Sequence, residues 1–204
     1  LIEIEKKDIF VEIGPGTGNL TELIINKSTS CTSVEIDRNL VPLLEKRFKN
    51  IKGFKLINRD VLSFDINTIS GGEKSIRIAG NLPYNLSSPI LEWSIKNINT
   101  IIDMHFMLQK EFAERCAGNE NSKSYGKLSV ICDYLFEVSI LKDVDKSFFI
   151  PPPKVDSAFV RFKPKRKTLN EIEFVNLKKI LNPLFNAKRK KVKKTLLSLF
   201  SEKD

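Results

Sequence analysis

The apolar positions of the chain come in short runs broken by turns. Asp8-Ile9-Phe10-Val11-Glu12-Ile13 is rich in β-branched and aromatic residues, the pattern of a buried strand. Gly14-Pro15-Gly16-Thr17-Gly18 follows as a tight turn, and Leu20, Leu23 and Ile24 begin a helical stripe. Cys31-Thr32-Ser33-Val34-Glu35-Ile36 predicts a second strand. Residues 39–48 predict a helix with Leu40, Leu43, Leu44 and Phe48 inward and Pro42 in its first turn, where proline is tolerated. Phe54-Lys55-Leu56-Ile57 predicts a third strand. Ser75-Ile76-Arg77-Ile78-Ala79 predicts a fourth, after a Gly71-Gly72 turn. Strands alternating with helices at this spacing predict an α/β fold with a parallel sheet covered on both faces.

The pattern then changes. Residues 101–108 predict another strand, and 117–126 a polar loop. Residues 128–138 read as a helix running into a strand. Pro151-Pro152-Pro153 is a rigid break, and the alternation over 155–162 predicts a last strand. Lys163-Pro164-Lys165-Arg166-Lys167 has the composition of a linker. Phe174, Leu177, Leu181 and Leu184 then form one helical stripe, and Val192, Leu196 and Phe200 another. A domain of residues 1–163 followed by a basic helical segment, 164–204, is the expected organisation.

Charge sharpens that division. The chain of 204 residues carries a formal net charge of +9. Residues 163–204 hold thirteen basic and four acidic residues, so the rest of the chain is neutral. A basic segment on a neutral body predicts a polyanion partner, nucleic acid first and an anionic membrane surface second. The alternative is a solvated basic helix. No apolar run is long enough to span a membrane, and the charged first residues are not a secretory signal. Three scattered cysteines (Cys31, Cys116, Cys132) and the single His105 offer neither a disulfide framework nor a metal site, and point to a reducing compartment, the cytoplasm.

The glycine turn is the first candidate for chemistry. Glycine lets a backbone approach a ligand closely, and a helix start offers unpaired N–H groups. The spacing Gly14-x-Gly16-x-Gly18 is one residue short of the dinucleotide fingerprint, which disfavours a nicotinamide dehydrogenase. Glu35 lies 21 residues after Gly14, where an acid can accept both ribose hydroxyls of a nucleoside. Asp60 holds the matching place after the third strand, where a carboxylate can accept from an adenine amino group. For Asp37 a local cap or a solvated loop position is the better reading. Adenosine without a pyrophosphate to cradle points to S-adenosylmethionine.

After the fourth strand comes Asn81-Leu82-Pro83-Tyr84. The exocyclic amine of a nucleobase is a poor nucleophile, because its lone pair is delocalised into the ring. The Asn81 side-chain oxygen and a nearby carbonyl can take its two N–H bonds and favour a pyramidal nitrogen. Pro83 fixes the backbone, and Tyr84 offers a face for the base. The alternative is an ordinary proline turn.

The run Asn81-Leu82-Pro83-Tyr84-Asn85-Leu86-Ser87-Ser88-Pro89 resembles motif IV of the ribosomal RNA adenine dimethyltransferases. So do Asp103-Met104-His105-Phe106-Met107-Leu108-Gln109-Lys110-Glu111, Ser124-Tyr125-Gly126-Lys127-Leu128-Ser129-Val130 and Phe149-Ile150-Pro151-Pro152-Pro153-Lys154-Val155-Asp156-Ser157. The later segments resemble the KsgA-type, small-subunit branch more than the macrolide-resistance enzymes of the large subunit. The resemblance implies a class I methyltransferase, Rossmann-like, with a small helical C-terminal domain and S-adenosylmethionine as donor, without a metal. Its implied substrate is two adjacent adenosines near the 3′ end of small-subunit ribosomal RNA, each methylated twice at N6 in the immature subunit by a monomeric enzyme.

Carried onto this chain, the resemblance has Gly14 and Gly16 facing the methionine part of the cofactor. Glu35 holds the ribose, Asp60 the adenine, and Asn81 lies between cofactor and target amine. Tyr84 and Phe149 sandwich the base, with Phe148 the competing ring. His105, in a strand of the family pattern, is structural. Independently of the resemblance, the charge run marks Lys188, Arg189, Lys190 and Lys191 as the expected RNA contacts, since basic residues crowding the start of a helix call for an anionic partner. The family's Gly-Gln-Asn-Phe-Leu segment and most of its helical C-terminal domain are missing, so a chain truncated at both ends is expected. A ribosome-assembly factor with secondary catalysis is the rival from another class.

Overall fold

The structure, a computed structural model, describes residues 1–70, 72, 75–165, 171–186 and 191–200. One sheet of seven strands organises it. β1 (Ile9–Ile13), β2 (Ser30–Glu35), β3 (Phe54–Asn58), β4 (Ile76–Asn81) and β5 (Ile101–Gln109) are parallel, in the order β3-β2-β1-β4-β5. β6 (Phe136–Val144) and β7 (Ser157–Pro164) extend it, with β7 inserted between β5 and β6 and antiparallel to both.

The strands form where the sequence concentrates β-branched and aromatic residues, and both faces of the sheet are covered. Phe10, Cys31 and Ala79 pack with Ile24 and Ile25 of α1 (Asn19–Ile25) on one face. The alternate positions Val11, Ile13, Val34, Ile78, Met104, Phe106 and Leu108 belong to the larger core on the other. That core takes in α3 (Ser87–Lys96), α4 (Lys110–Ala117), α5 (Lys127–Leu135) and α6 (Glu171–Asn186) through Ile90, Trp93, Ala113, Cys132, Phe174 and Leu181. α2 (Val41–Phe48) connects β2 to β3, with Pro42 in its first turn, and α7 (Val192–Phe200) follows α6.

Several expectations shift. The last strand starts two residues later than the alternation implies and runs on through Pro164 into the expected linker. Leu23 and Leu43, read as inward, are 63% and 44% exposed. Ile24 and Leu44, read as inward beside them, are fully buried, because helices of seven and eight residues present a narrow face. In α7, Val192 is exposed and Thr195 is buried.

At the amino edge of the sheet, Arg77 makes a buried ion cluster. Its Nε and Nη2 donate to the two oxygens of Asp103, each at 2.8 Å, and Nη1 donates to Asp8 at 2.7 Å and to the Glu3 carbonyl at 2.5 Å. A planar guanidinium fits a carboxylate in this forked way. The cluster fixes residues 3–8 against β4 and β5 at the end of the sheet away from the glycine turn.

Candidate functional site

The parallel register brings the candidate residues to one edge. Ile13 pairs with Val34 and Gly80, and Glu35 pairs with Asn58. Gly14, Glu35, Asp60 and Asn81 therefore stand just beyond, or at, the carboxyl ends of four adjacent strands. Ligands of open α/β sheets bind at this edge.

The glycine turn leaves β1 through Gly14, whose N–H donates to the Val34 carbonyl at 3.0 Å. Gly14, Gly16 and Gly18 have φ of 65°, 59° and 90°, a left-handed run that side chains disfavour. A Cβ at Gly14 or Gly16 would meet nothing within 4 Å, so open space lies beside the turn. At Gly18 a Cβ would lie 2.5 Å from Phe48 Cε2, so this glycine serves the packing of α1 on α2.

Glu35, only 5% exposed, ends β2. Its Oε2 accepts from Gly16 N at 3.3 Å and its Oε1 from Asp37 N at 2.9 Å. A carboxylate has four lone pairs, so acceptor capacity is left for a ligand. Asp37 caps its own turn, its Oδ1 accepting from Asn39 N at 2.8 Å, as expected. Asp60 is exposed and also caps locally: Oδ1 accepts from Leu62 N at 2.9 Å at the start of a 3-10 turn. Its other oxygen accepts no hydrogen bond among the described residues.

Beneath the turn sits Glu12, 1% exposed. Its Oε2 accepts from the Thr21 hydroxyl at 2.5 Å and the Ser33 hydroxyl at 2.8 Å. Burial pushes this carboxyl above the usual carboxylate range, and the two hydroxyls act against the shift. Glu12 thus ties α1 to β2 under the glycines. The sequence reading left it out, since an acid in a strand passes for the polar side of an alternation.

Asn81 closes β4 opposite Met107, and its side chain is exposed. Pro83 turns the chain into a 3-10 turn, Tyr84–Leu86, closed by Leu86 N donating to the Pro83 carbonyl at 2.9 Å. Tyr84 is half-buried, and its hydroxyl lies 2.9 Å from Ser157 Oγ. Phe149 is half-buried after a 3-10 turn, Lys146–Phe148, that Asp145 caps. Phe148 next to it is 81% exposed and Ile150 fully so. This loop is held by Asp156, whose Oδ1 accepts from Lys146 N at 3.2 Å and whose carbonyl accepts from Lys110 N at 3.0 Å.

His105 is buried in β5, 2% exposed, and stacks on Phe159. Burial pushes its pKa down from 6.5 to about 4 despite Asp103 nearby. It sits on the strand away from the glycine turn, as the structural reading expects. Of the basic cluster, Lys188, Arg189 and Lys190 lie outside the described residues. Lys191 is exposed directly before α7, and Lys193 and Lys194 are exposed in its first turn. Among the described residues no group of His, Cys, Asp and Glu could hold a metal ion, and no helix is long and apolar enough to cross a membrane.

Known proteins resemble this chain in sequence and in fold. The family model for ribosomal RNA adenine dimethylase matches residues 1–204. The chain belongs to that family. A ribosomal RNA small subunit methyltransferase A of Francisella tularensis is 41% identical over 206 residues, which cover 100% of this chain and 78% of the relative. The protein of the same name from Pseudomonas syringae is 39% identical over 201 residues, 98% of this chain and 75% of that one. Among solved structures, a dimethyladenosine transferase from Plasmodium falciparum superposes with a TM-score of 0.79 at 29% identity, covering 95% of this chain and 68% of that chain. The 23S rRNA methyltransferase ErmE gives 0.78 at 26%, covering 96% and 78%. The sheet and its helices are those of a class I methyltransferase, and the family is one of methyltransferase enzymes acting on ribosomal RNA.

Proposed function

We propose that this protein dimethylates, at N6, two adjacent adenosines near the 3′ end of small-subunit ribosomal RNA, with S-adenosylmethionine as donor. The observation that carries the reading is the convergence of Gly14, Gly16, Glu35, Asp60 and Asn81-Leu82-Pro83-Tyr84 on one sheet edge, in a chain whose relatives at about 40% identity are named for the small subunit.

The open space beside Gly14 and Gly16 and the spare acceptors of Glu35 and Asp60 fit such a donor. When bound, it supplies an electrophilic methyl group. Gly14 and Gly16 let the backbone come close to its methionine part, Glu35 receives the ribose hydroxyls, and Asp60 receives the adenine amino group. Asn81 accepts from the target amine and favours its pyramidal form, an interaction that strengthens in the transition state and therefore accelerates the step. The methylated amine is acidic enough to lose its proton afterwards, so no side chain is required as general base. The target adenosine must leave its stack to reach this edge, at a cost of a few kcal/mol. Tyr84 and Phe149 offset that cost with two aromatic faces, each contributing about 1–3 kcal/mol. The cluster Lys188, Arg189, Lys190 and Lys191 neutralises RNA phosphates. The protein acts as a monomer in the cytoplasm, which fits three buried cysteines without disulfides.

The test is transfer of radiolabelled methyl groups by the full-length protein to immature small subunits, with nucleoside analysis of the product. N6,N6-dimethyladenosine in small-subunit RNA is expected. With large-subunit RNA offered in a parallel reaction, label found there and absent from the small subunits would move the assignment to a 23S rRNA methyltransferase, the activity for which ErmE is named.

A further inference from the structure

The bond between Tyr84 and Ser157 joins two parts of the site that the chain separates by 73 residues. Ser157 opens β7 and is fully buried. It pairs with Gln109 of β5 on one side and Val144 of β6 on the other, so its Oγ is a fixed point in the sheet. Tyr84 stands on a surface turn held through its backbone, with Leu86 N donating to the Pro83 carbonyl and Ser87 N to the Tyr84 carbonyl, and the bond to Ser157 is what holds its hydroxyl end. Ser157 also ends the segment that begins with Phe149. The bond therefore ties one wall of the target-base site to the strand on which the other wall is rooted.

A phenylalanine at position 84 would offer the same stacking face, so stacking alone does not account for the hydroxyl. A tyrosine hydroxyl bonded to a buried serine is also poorly placed to relay a proton. We propose that Ser157 is a positioning residue for methyl transfer: it holds the Tyr84 ring by its hydroxyl and so sets the gap that receives the adenine. In this assignment the Tyr84 hydroxyl is a tether and takes no part in proton transfer. The inference rests on the reading of Tyr84 as a stacking surface.

The experiment is a double-mutant cycle in the full-length protein, with single-turnover methylation of immature small subunits as readout. Binding of S-adenosylmethionine and of subunits, and the thermal midpoint, are measured in parallel. Ser157→Ala and Tyr84→Phe each remove the same neutral hydrogen bond. Each is expected to slow the transfer step about three- to tenfold, the range such a bond supplies, with both affinities within twofold of wild type. The double variant should be no slower than the slower single one, because only one bond is lost. Ser157→Thr keeps a hydroxyl on a β-branched residue suited to a strand and should restore most of the rate.

Multiplying effects in the double variant would overturn the tether. So would a slow Tyr84→Phe beside an unaffected Ser157→Ala, which would give the hydroxyl another task. A loss in Ser157→Ala that tracks a fall in thermal midpoint, with Tyr84→Phe at wild-type rate, would reduce Ser157 to a packing residue. Tyr84→Ala separates the two levels. A wild-type rate there would remove the stacking assignment itself, whereas a large loss there with a silent Ser157→Ala removes only the tether.

Discussion

Glu35 and Gly16, 19 residues apart in the chain, meet where the Glu35 Oε2 accepts from the Gly16 N–H at 3.3 Å. The acid at the end of β2 thus braces the glycine turn after β1 while keeping lone pairs for a ligand. Glu35→Ala should weaken S-adenosylmethionine binding by about 1.5–3 kcal/mol, the worth of hydrogen bonds to a charged group. Glu35→Gln should lose less, because an amide oxygen can still accept. Titration calorimetry decides; equal affinities for all three proteins would leave Glu35 as a brace only.

The three glycines should respond differently to alanine. Gly14→Ala and Gly16→Ala add a side chain into open space at positive φ, a cost of about 1–2 kcal/mol. Gly18→Ala also drives Cβ into the Phe48 ring. Overpacking adds roughly 1–3 kcal/mol, so Gly18→Ala should be the least stable of the three in urea unfolding. Its folded fraction should still bind cofactor, whereas Gly16→Ala should lose affinity out of proportion to its stability.

Asp60 has two tasks that one substitution can separate. Asn keeps an oxygen for the Leu62 N–H but replaces the free carboxylate oxygen with a donor, which would face the adenine amino group as donor to donor. Asp60→Asn is therefore expected to keep its thermal midpoint yet weaken cofactor binding by about 1–3 kcal/mol. A drop in midpoint with intact affinity would show that Asp60 serves only its cap.

Much of this was legible in the sequence, and what was not has physical reasons. The strands stood out because β1 to β5 gather apolar residues into short runs, and the glycines and acids followed their ends. α3 was missed because Ile90, Leu91, Trp93, Ser94 and Ile95 are all buried, so its apolar positions spread round the helix and blur the 3.6-residue period. α4 buries only Ala113 and Cys116, too small to mark a stripe. The pairing of Tyr84 with Ser157 depends on β7 entering between β5 and β6, which no local pattern announces. For the base wall, the family resemblance named Phe149, while composition alone could not separate it from Phe148.

His105 gives a pH prediction. The folded protein holds the ring neutral down to about pH 4, while the unfolded chain takes up a proton near its ordinary pKa of 6.5. Between those values the unfolded state binds more protons, so stability rises with pH. The contribution is complete above pH 6.5 and is lost as pH falls towards 4. As the single histidine of the chain, its ring can be followed by NMR without assignment. Titration near 6.5 in the native protein would refute the expectation. His105→Gln should flatten the fall of the urea midpoint across this window.

The place of β7 in the sheet also has a consequence in time. Every residue proposed to face the methyl donor precedes Leu82, whereas the strand that anchors the far wall is made only after residue 156. A chain growing from its amino end completes the donor half first, at a synthesis rate on the order of 5–20 residues per second. Only when Ser157 has threaded between β5 and β6 does Tyr84 acquire its partner. The residues proposed for the donor and the anchor of the acceptor wall thus leave synthesis as separate events, the donor side first.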